Sequence, residues 1–360
     1  MPFNRTEPHN ALPLLPPDVD LETKPILRLC ITANKALAEL KGAGDVIPNQ
    51  AMLINAIPLQ EAKLSSEIEN IVTTQDELFQ AALDESHPAD PKTKEVLRYR
   101  TALRHGYELL REEGLSLSLL EKVCGVLQNE AVAFRTEELV HIGNPNTGVI
   151  TYTPPLGQKI IREKLDNLAG FLLERNELDP LIRLAVAHYQ FEAIHPFDDG
   201  NGRTGRILNI LYLLHEGLLK IPVLYLSRFI IQRKRDYYRL LCEVTEKGAW
   251  EDWVLYTLTG IGETAVWTTN RILAIRDLFE TTLERCRQEL SRRVYSKELI
   301  ELVFTQPYCK IQFLVDAGIA ARQTASEYLQ ELEKLGILAG ERRGREMIYK
   351  HPALLDVLMA

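Results

Sequence analysis

The sequence lacks the features of a secreted or membrane-spanning protein. No apolar run approaches the roughly 20 residues that a transmembrane helix needs, and the start, MPFNRTEPHN, lacks the basic and then apolar layout of a signal peptide. The five cysteines form no CxxC pair, and such an odd, scattered set suits reduced thiols better than a disulfide framework. We therefore expect a soluble protein of the cytoplasm with no membrane partner.

The chain also lacks an excess of positive charge, since 50 acidic residues outnumber 42 basic ones. The formal net charge is -8, which argues against binding nucleic acid over the whole surface but leaves a local basic patch open. The histidines other than His195 have no metal-ligand spacing, so the sequence does not favour a zinc or iron site. With 360 residues, 46% of them hydrophobic, the chain is long enough for two or more globular domains.

Most of the chain has the periodicity of amphipathic helices, so the predicted fold class is mainly α. The first fifteen or so residues are rich in proline and predict an extended arm. The exception is residues 138–157, where two runs rich in β-branched residues flank Asn144–Gly148 and predict a β-hairpin. We therefore expect a helical main domain that carries one hairpin.

The last seventy or so residues change character. Their order of helices, a turn at Gly318 and two strands around Gly344 predicts a winged helix-turn-helix domain. Its predicted DNA contacts are Arg322, Gln323 and Thr324 on the recognition helix and Arg342, Arg343 and Arg345 in the wing. A docking domain without nucleic acid is the alternative, which the acidic residues of that helix favour (Glu327, Glu331 and Glu333). The predicted regions are an N-terminal arm and helical region (1–110), a core domain (111–275), a linking helix (276–293) and the winged helix domain (294–360).

The stretch HPFDDGNGRTGR, residues 195–206, places one histidine, two adjacent acids, three glycines and two arginines before an apolar helical run. Gly200 and Gly202 allow consecutive N–H groups to point into one concavity, which forms a nest for an anion. The N-terminus of the following helix, with its positive dipole end, lies at the same place. Arg203 and Arg206 are three residues apart on that helix, so both guanidinium groups can reach one phosphate-rich ligand.

Two further side chains add chemistry to this nest. Asp199 can hold Mg²⁺, which proteins bind through one or two carboxylates together with phosphate oxygens. His195, at the start of the loop, can accept a proton from an attacking hydroxyl group. The loop lacks the alternating ligands of an EF-hand and the Gly-Lys-Ser/Thr of a Walker loop. Together these residues predict a site of phosphoryl or nucleotidyl transfer.

The loop resembles the signature of the Fic (filamentation induced by cAMP) family, HPFx(D/E)GNGRxxR, and matches it at every specified position. The resemblance extends to the preceding helix, AHYQFEAIHPF, and to the hairpin, IGNPNTGVITYTPP, and covers roughly residues 25–270. It implies transfer of AMP from ATP to a hydroxyl group of a target protein, with release of pyrophosphate. It also implies that the hairpin is a flap, Ile142 to Thr153, which binds the target as an added strand through backbone bonds.

The same resemblance gives each residue a role. His195 would deprotonate a Ser, Thr or Tyr hydroxyl of the target, and Asp199 would hold Mg²⁺ between the α- and β-phosphates of ATP. Arg203 would bind the outer phosphates and Arg206 the γ-phosphate. The other residues implied in ATP binding are Ser65, Glu69, Gly200, Asn201, Gly202, Thr204 and Gly205. Candidates for the adenine pocket, for which plain core packing is an equal explanation, are Tyr237, Tyr238 and Trp253.

A second motif, SSEIEN, lies upstream of the loop and resembles the (S/T)xxxE(G/N) inhibitory motif of many Fic proteins. Its residues are Ser65, Glu69 and Asn70, on a predicted helix at about 60–71. Ser65 and Glu69 are four apart and therefore share one helix face. A carboxylate presented there could pair bidentately with Arg206 and take the place of the γ-phosphate, so the motif predicts self-inhibition.

Other activities and partners stay open at this level. The intact loop disfavours phosphocholine transfer and phosphorylation, but removal of AMP is an alternative because Glu69 could position a water molecule. The chain could also modify itself, form a homodimer, or act as a regulator that binds DNA through residues 296–352. The identity of the target protein is not contained in the sequence, because a flap that binds backbone carries little information about side chains.

Overall fold

The structure, a computed structural model, describes residues 3–83, 90–144, 147–174, 177–343 and 346–359. The fold is mainly α-helical, as predicted, with two small antiparallel sheets among the described residues. The helices up to the signature loop and just after it are α1 (Lys24–Asp45), α2 (Ala51–Ile68), α3 (Gln75–Leu83), α4 (Pro91–Glu113), α5 (Leu117–Gln128), α6 (Gln158–Leu173), α7 (Pro180–Ile194) and α8 (Asn201–His215). The later helices are α9 (Leu226–Gln232), α10 (Lys234–Lys247), α11 (Trp250–Glu289), α12 (Lys297–Thr305), α13 (Ile311–Asp316), α14 (Arg322–Lys334) and α15 (Pro352–Met359). The strands are β1 (Ile142–Asn144), β2 (Val149–Tyr152), β3 (Tyr308–Lys310), β4 (Ala339–Arg343) and β5 (Glu346–Lys350).

Helices α7 and α8 hold the signature loop between them. The side chain of Asp179 accepts a hydrogen bond from the backbone N–H of Leu181 (2.8 Å), and Pro180 occupies the first turn of α7. Both features favour the start of a helix. Nearly all residues of α7 and α8 are buried, and α7 ends where His195 adopts a left-handed backbone conformation (φ 51°). The loop therefore extends from a buried and rigid pair of helices.

The helix predicted at about 60–71 corresponds to the C-terminal part of a longer helix, which begins earlier than predicted and ends at Ile68 rather than at residue 71. α2 begins at Ala51, continues through Pro58 and ends at Ile68. Proline removes a backbone donor inside a helix and disfavours its continuation. The packing of α2 against α4, α9 and α12 buries most of its residues and outweighs that local cost. The inhibitory motif thus lies at the end of a helix that is fixed along its length.

The boundary predicted between residues 275 and 276 lies inside one helix. α11 runs from Trp250 to Glu289, and α1 packs along it. Within α11, Gly260 allows α9 to approach closely, because a Cβ at this position would lie 2.7 Å from the Phe229 ring. The division into a core domain and a linking helix stays a prediction, since the helical backbone crosses it without interruption.

The predicted hairpin is present. β1 and β2 pair antiparallel, with Ile142 opposite Tyr152 and Asn144 opposite Val149. The turn residues predicted at 145 and 146 lie outside the described part of the chain. Among the helices that the structure describes, none combines the length and apolar character required to cross a membrane.

The C-terminal region contains the helices α12, α13 and α14 followed by β4 and β5, in the order that the sequence predicts. The structure adds β3, which gives a sheet of order β3-β5-β4, and the final helix α15. On α14, Glu327 pairs with Arg293 (2.7 Å) and Glu331 with Lys334 (2.6 Å). A winged helix that contacts DNA stays a prediction for this region, and Arg345 of the predicted wing lies outside the described residues.

Candidate active site

Arg135 fixes the start of the signature loop. Its buried guanidinium group donates hydrogen bonds to the carbonyl oxygens of His195 (2.7 Å), Ile194 (2.9 Å) and Pro155 (2.7 Å). These bonds hold the left-handed turn at His195 and connect it to the segment that follows the flap. Sequence reasoning missed Arg135, because no local pattern links residue 135 to residue 195.

Asn201 closes the loop. Its side-chain oxygen accepts a hydrogen bond from the backbone N–H of Phe197 (2.8 Å), and its amide nitrogen donates to the carbonyl oxygen of Phe197 (2.7 Å). The Phe197 ring is buried in the core, where it anchors the loop. The side chain of Asn201 therefore shapes the loop in this structure, whereas the sequence predicts that it contacts phosphate.

Gly200 begins α8 in the left-handed conformation (φ 81°), which glycine adopts without the steric cost that other residues have. The backbone N–H groups of the first turn of α8 have no partner inside the helix and can bind an anion. Thr204 and Gly205 lie in the buried part of this turn. A Cβ at residue 205 would lie 2.7 Å from Oε1 of Glu192, so glycine is required for the packing of α8 on α7.

His195 is half-buried at the end of α7. Burial, and then the positive charge of Arg135, lower the pKa of His195 to about 4. The ring is therefore uncharged at neutral pH and has a lone pair that can accept a proton. This protonation state is the one that a general base requires.

Asp199 is an exposed acidic group of the site. Its side chain is 75% exposed, one carboxylate oxygen accepts a hydrogen bond from the Gly200 N–H (2.6 Å), and the other lies 3.8 Å from the Arg203 guanidinium group. Within the described residues no group of three or more His, Cys, Asp or Glu side chains could hold a metal ion by itself. A single exposed carboxylate beside an anion nest fits Mg²⁺, which takes its remaining ligands from phosphate and water.

Arg203 is buried and pairs with an acid that sequence reasoning missed. Its Nη1 lies 2.5 Å from Oε1 of Glu95, on α4. Glu95 is 108 residues away in sequence, so only the tertiary packing of α4 against α8 reveals the pair. The ion pair holds the Arg203 guanidinium group near the start of α8, where Asp199 also lies.

Arg206 is the residue that brings the inhibitory motif and the signature loop together. Its side chain is almost fully buried, and its Nε donates to the hydroxyl oxygen of Ser65 (2.7 Å). Its Nη2 donates to the carbonyl oxygen of Ser65 (3.0 Å) and to Oε1 of Glu69 (2.8 Å). Every one of these acceptors belongs to the end of α2. Ser65 and Glu69 therefore share one guanidinium group, and Glu69 binds it through Oε1 rather than by the bidentate pairing that the sequence predicts.

Glu69 lies against the first turn of α8. A Cβ at Gly202 would collide with Oε1 of Glu69, so the carboxylate lies directly beside the predicted anion nest. Burial alone would raise the pKa of Glu69, but the charge and the hydrogen bond of Arg206 outweigh this effect, and the pKa is lowered. Glu69 is therefore ionised at neutral pH. Asn70 follows in a left-handed conformation (φ 64°) and accepts a hydrogen bond from Lys234 (3.3 Å).

A cavity of about 620 Å³ opens at this point, between the flap and the end of α2. Its lining includes these residues predicted from the sequence: Glu69, Asn70, His195, Gly202, Arg206, Tyr237, Tyr238 and, from the flap, Ile142, Gly143, Thr151 and Tyr152. Ser65, Asp199, Gly200, Asn201, Arg203, Thr204, Gly205 and Trp253 do not line it. The uncharged histidine, one buried arginine and one ionised glutamate thus face the same space.

The three candidate adenine-pocket residues differ in position. Tyr238 is 41% exposed and lines the cavity, whereas Tyr237 is buried at the cavity wall and its hydroxyl group lies 2.9 Å from Nε2 of His188. Trp253 is fully buried and its indole N–H donates to the carbonyl oxygen of Ala185 (2.7 Å). The structure therefore places Trp253 in the core, where it packs beneath Tyr237.

Two groups of the cavity were not expected from the sequence. Phe3, in the predicted arm, stacks on Tyr152 of the flap with ring centroids 5.9 Å apart. The arm continues along the flap, where the N–H of His9 donates to the carbonyl oxygen of Thr153 (3.0 Å). Glu192 also lines the cavity, and burial raises its pKa to about 7 although the charge of Arg206 opposes the shift. No local sequence pattern indicates that Phe3 or Glu192 lies at the cavity.

Three models of protein families match the chain. The model "Fic/DOC family N-terminal" matches residues 27–108, and the model "Fic/DOC family" matches residues 115–213. The model "Protein adenylyltransferase SoFic-like, C-terminal domain" matches residues 278–354. Helix α2 with its inhibitory motif, the signature loop and the C-terminal sheet each lie within one of these matches.

The chain is also similar to curated proteins. "Protein adenylyltransferase fic-1" of Caenorhabditis elegans is 34% identical over 89 residues, which are 24% of this chain and 16% of that protein. "Probable protein adenylyltransferase aq_aa38" of Aquifex aeolicus (strain VF5) is 27% identical over 199 residues, which are 53% of this chain and 55% of that protein. The chain thus spans 55% or less of the length of these two relatives.

Solved structures share the fold. A Fic family protein from Desulfovibrio desulfuricans G20 has a TM-score of 0.56 at 20% identity, and the match covers 91% of this chain and 96% of that one. A structure of Fic-1 from C. elegans has a TM-score of 0.52 at 22% identity, with 71% of this chain and 74% of that one covered. The signature loop, the shared fold and the three family matches lead to one conclusion: this chain belongs to the Fic/DOC family.

Proposed function

We propose that this chain is a protein adenylyltransferase that is inhibited by its own Glu69. It transfers AMP from ATP to a Ser, Thr or Tyr hydroxyl group of a target protein and releases pyrophosphate. The observation that carries the proposal is that His195 and Arg206 line one cavity. An uncharged imidazole and a buried guanidinium group therefore face the same space. The names of the relatives, protein adenylyltransferases, support the same reaction.

The residues of the loop divide the chemistry among them. His195 takes the proton of the target hydroxyl group, whose oxygen forms a bond to the α-phosphorus while the bond from that phosphorus to pyrophosphate breaks. The N–H groups at the start of α8 and the guanidinium group of Arg203 bind phosphate oxygens and stabilise the charge that develops on them. Asp199 would hold Mg²⁺, which when bound neutralises part of the phosphate charge.

The flap holds the target segment. Among the described residues β1 and β2 form a two-stranded sheet, and an outer edge of such a sheet can accept a third strand through backbone hydrogen bonds. The flap residues Ile142 and Thr151 line the cavity that His195 also lines, so a strand added there would pass the base. Backbone pairing is largely indifferent to side chains, and the proposal therefore includes a second copy of this chain among the targets.

Glu69 accounts for the inhibition. The family resemblance assigns the γ-phosphate of ATP to Arg206, and in this structure the guanidinium group is occupied by Glu69 and Ser65. An ionised carboxylate beside Gly202 also repels a phosphate that approaches the same nest. ATP then binds without the γ-phosphate contact that aligns the α-phosphate, and transfer is slow.

The reaction is tested with ATP labelled at the α-phosphate and, separately, at the γ-phosphate. Purified Glu69→Gly protein should acquire label from the α-position, and His195→Ala in the same background should not. Label from the γ-position alone would make the protein a kinase and would overturn the proposal. Absence of label from both positions on the chain and on proteins of a cell lysate would also count against it.

Removal of AMP is the second candidate function. It is favoured by one observation, which is that the carboxylate of Glu69 and the imidazole of His195 face the same cavity and could position a water molecule between them. The two functions are separated by their response to Glu69→Gly. This substitution should increase AMP transfer but should abolish release of AMP from a protein that carries it.

A further inference from the structure

A stripe of three polar side chains runs along one face of α2 and continues to Glu69, the residue that directly follows the helix. Glu61, Ser65 and Glu69 are spaced by four residues, so they lie above one another on successive turns. Ser65 and Glu69 contact Arg206, as described above. Glu61 is one turn before Ser65, does not line the cavity and touches neither the nest nor the flap among the contacts of the described residues. Its position raises the question of what it does.

Glu61 is held by three donors from two other helices. Its side chain is buried, and one carboxylate oxygen accepts a hydrogen bond from the backbone N–H of Ser227 (3.1 Å). The other oxygen accepts from the Ser227 hydroxyl group and from the phenol group of Tyr99 (3.3 Å). Tyr99 lies on α4 and Ser227 on α9, so the carboxyl group joins α2 to both neighbours.

Burial of a carboxyl group costs free energy, because the group loses its contacts with water. Burial raises the pKa of Glu61 to about 7, although the bonds from Ser227 and the charge of Arg206 act in the opposite direction. An apolar residue of similar size would avoid this cost. What the carboxyl group adds is directional bonding, which fixes both the rotation and the axial position of a helix.

The rotation and axial position of α2 determine where Glu69 lies, at the other end of the stripe. Glu69 is the residue at the C-terminal end of α2, where the helix dipole disfavours a negative charge, and its side chain is 35% exposed. A shift of α2 by one residue moves a side chain by about 1.5 Å along the axis and about 100° around it. Such a shift would remove Glu69 from Arg206 and from Gly202.

We propose that Glu61 is a positioning residue, whose bonds to Ser227 and Tyr99 hold α2 in the register that places Ser65 and Glu69 on Arg206. This inference rests on the proposed function, because it assigns Glu61 to the inhibited state. Glu61 acts only through Glu69, and its loss has no effect on transfer once Glu69 is absent. Ser227 and Tyr99 contribute to this positioning because they donate the hydrogen bonds that hold Glu61.

The experiment measures transfer of the α-label to protein in four matched pairs. Wild type, Glu61→Gln, Ser227→Ala and the control Glu67→Gln, which lies on α2 outside the stripe, are each prepared with Glu69 and with Gly at position 69. With Glu69 present, Glu61→Gln should increase the rate at least threefold, Ser227→Ala should increase it less, and Glu67→Gln should leave it unchanged. With Gly at position 69, all four rates should agree.

The outcomes separate the inference from the proposed function. If Glu69→Gly does not increase transfer, self-inhibition itself is wrong. If Glu69→Gly increases transfer while Glu61→Gln and Ser227→Ala both match wild type, only the role of Glu61 is overturned. Equal loss of activity from Glu61→Gln in both backgrounds would indicate a purely structural role and would also overturn it. Thermal unfolding of each variant checks folding, and Ser227→Ala decides the question if Glu61→Gln does not fold.

Discussion

Glu69 and Arg206 are 137 residues apart in sequence, and their side chains meet with Oε1 2.8 Å from Nη2. The contact joins the end of α2 to the second arginine of the signature loop, at the edge of the cavity that His195 also lines. Ser65 binds the same guanidinium group through its hydroxyl and its carbonyl oxygen. One arginine thus connects the predicted inhibitory motif to the proposed catalytic residues.

Ser65→Ala should release the inhibition in part. The substitution removes the hydroxyl acceptor of Arg206 Nε, but the Ser65 carbonyl oxygen and Glu69 still bind Nη2. A hydrogen bond to a charged group contributes about 1.5–3 kcal/mol, so we expect transfer of the α-label to rise roughly tenfold and to stay below the rate of Glu69→Gly.

The neighbouring Ser66 supplies the control. Its hydroxyl group is also buried but has no hydrogen-bond partner among the described residues. Ser66→Ala should therefore leave the rate of transfer at the wild-type level. Equal rates for Ser65→Ala and Ser66→Ala would contradict a role of the Ser65 hydroxyl group in inhibition.

The pH dependence of transfer should reflect the depressed pKa of His195. Burial and the charge of Arg135 lower this pKa to about 4, so the ring stays neutral and able to accept a proton down to roughly that pH. For Glu69→Gly, kcat/KM should be flat from pH 8 to pH 6 and should fall only as the pH approaches about 4 to 5. The profile is measured by label transfer in buffers of constant ionic strength. An acid limb centred near 6.5, the value of an ordinary histidine, would contradict this view of the site.

Substitution of Asn201 should lower the stability of the protein, whereas substitution of Asp199 should lower the rate of transfer. Asn201→Ala leaves the backbone N–H and C=O of Phe197 unpaired in the core, which should lower the free energy of unfolding by about 2–4 kcal/mol. Asp199→Ala affects an exposed side chain and should change stability by less than about 1 kcal/mol while it lowers Mg²⁺-dependent transfer at least a hundredfold. Denaturant unfolding and label transfer check the pair. A stable and fully active Asp199→Ala would remove Asp199 as the metal ligand.

Substitution of Tyr238 should affect the binding of ATP, whereas substitution of Trp253 should affect the stability of the fold. Tyr238 is partly exposed at the cavity, and loss of a stacking contact with adenine should raise KM for ATP roughly tenfold with little change in stability. Trp253 is fully buried, and Trp253→Ala should lower the free energy of unfolding by about 3–5 kcal/mol. Steady-state kinetics in the Glu69→Gly background measures the first effect. An unchanged KM in Tyr238→Ala would place adenine elsewhere.

The parts of the site that sequence reasoning finds are the ones with a local signature. The glycine and arginine spacing of residues 195–206 and the spacing of Ser65 and Glu69 are set within two helical turns. The hairpin is predictable for the same reason, since two β-branched runs and a turn are adjacent in the chain.

The parts that sequence reasoning misses depend on distant packing. Glu95 contacts Arg203 although 108 residues separate them, and Ser227 contacts Glu61 across 166 residues. The phenol group of Tyr99 contacts Glu61 only because α2 and α4 pack together. α2 is longer than the helix predicted at about 60–71, because tertiary packing lets it continue through Pro58. The sequence leaves Trp253 as a candidate for either the adenine pocket or the core, because an aromatic residue has the same local pattern in both places.

The most direct test of the account compares the initial rates at which wild type and Glu69→Gly transfer the α-label to protein at one concentration of ATP and Mg²⁺. If Glu69 holds Arg206 away from the γ-phosphate, Glu69→Gly should be at least tenfold faster, and His195→Ala should abolish the gain. Equal rates for wild type and Glu69→Gly, with both proteins folded and binding ATP, would contradict the claim that this ion pair inhibits the enzyme.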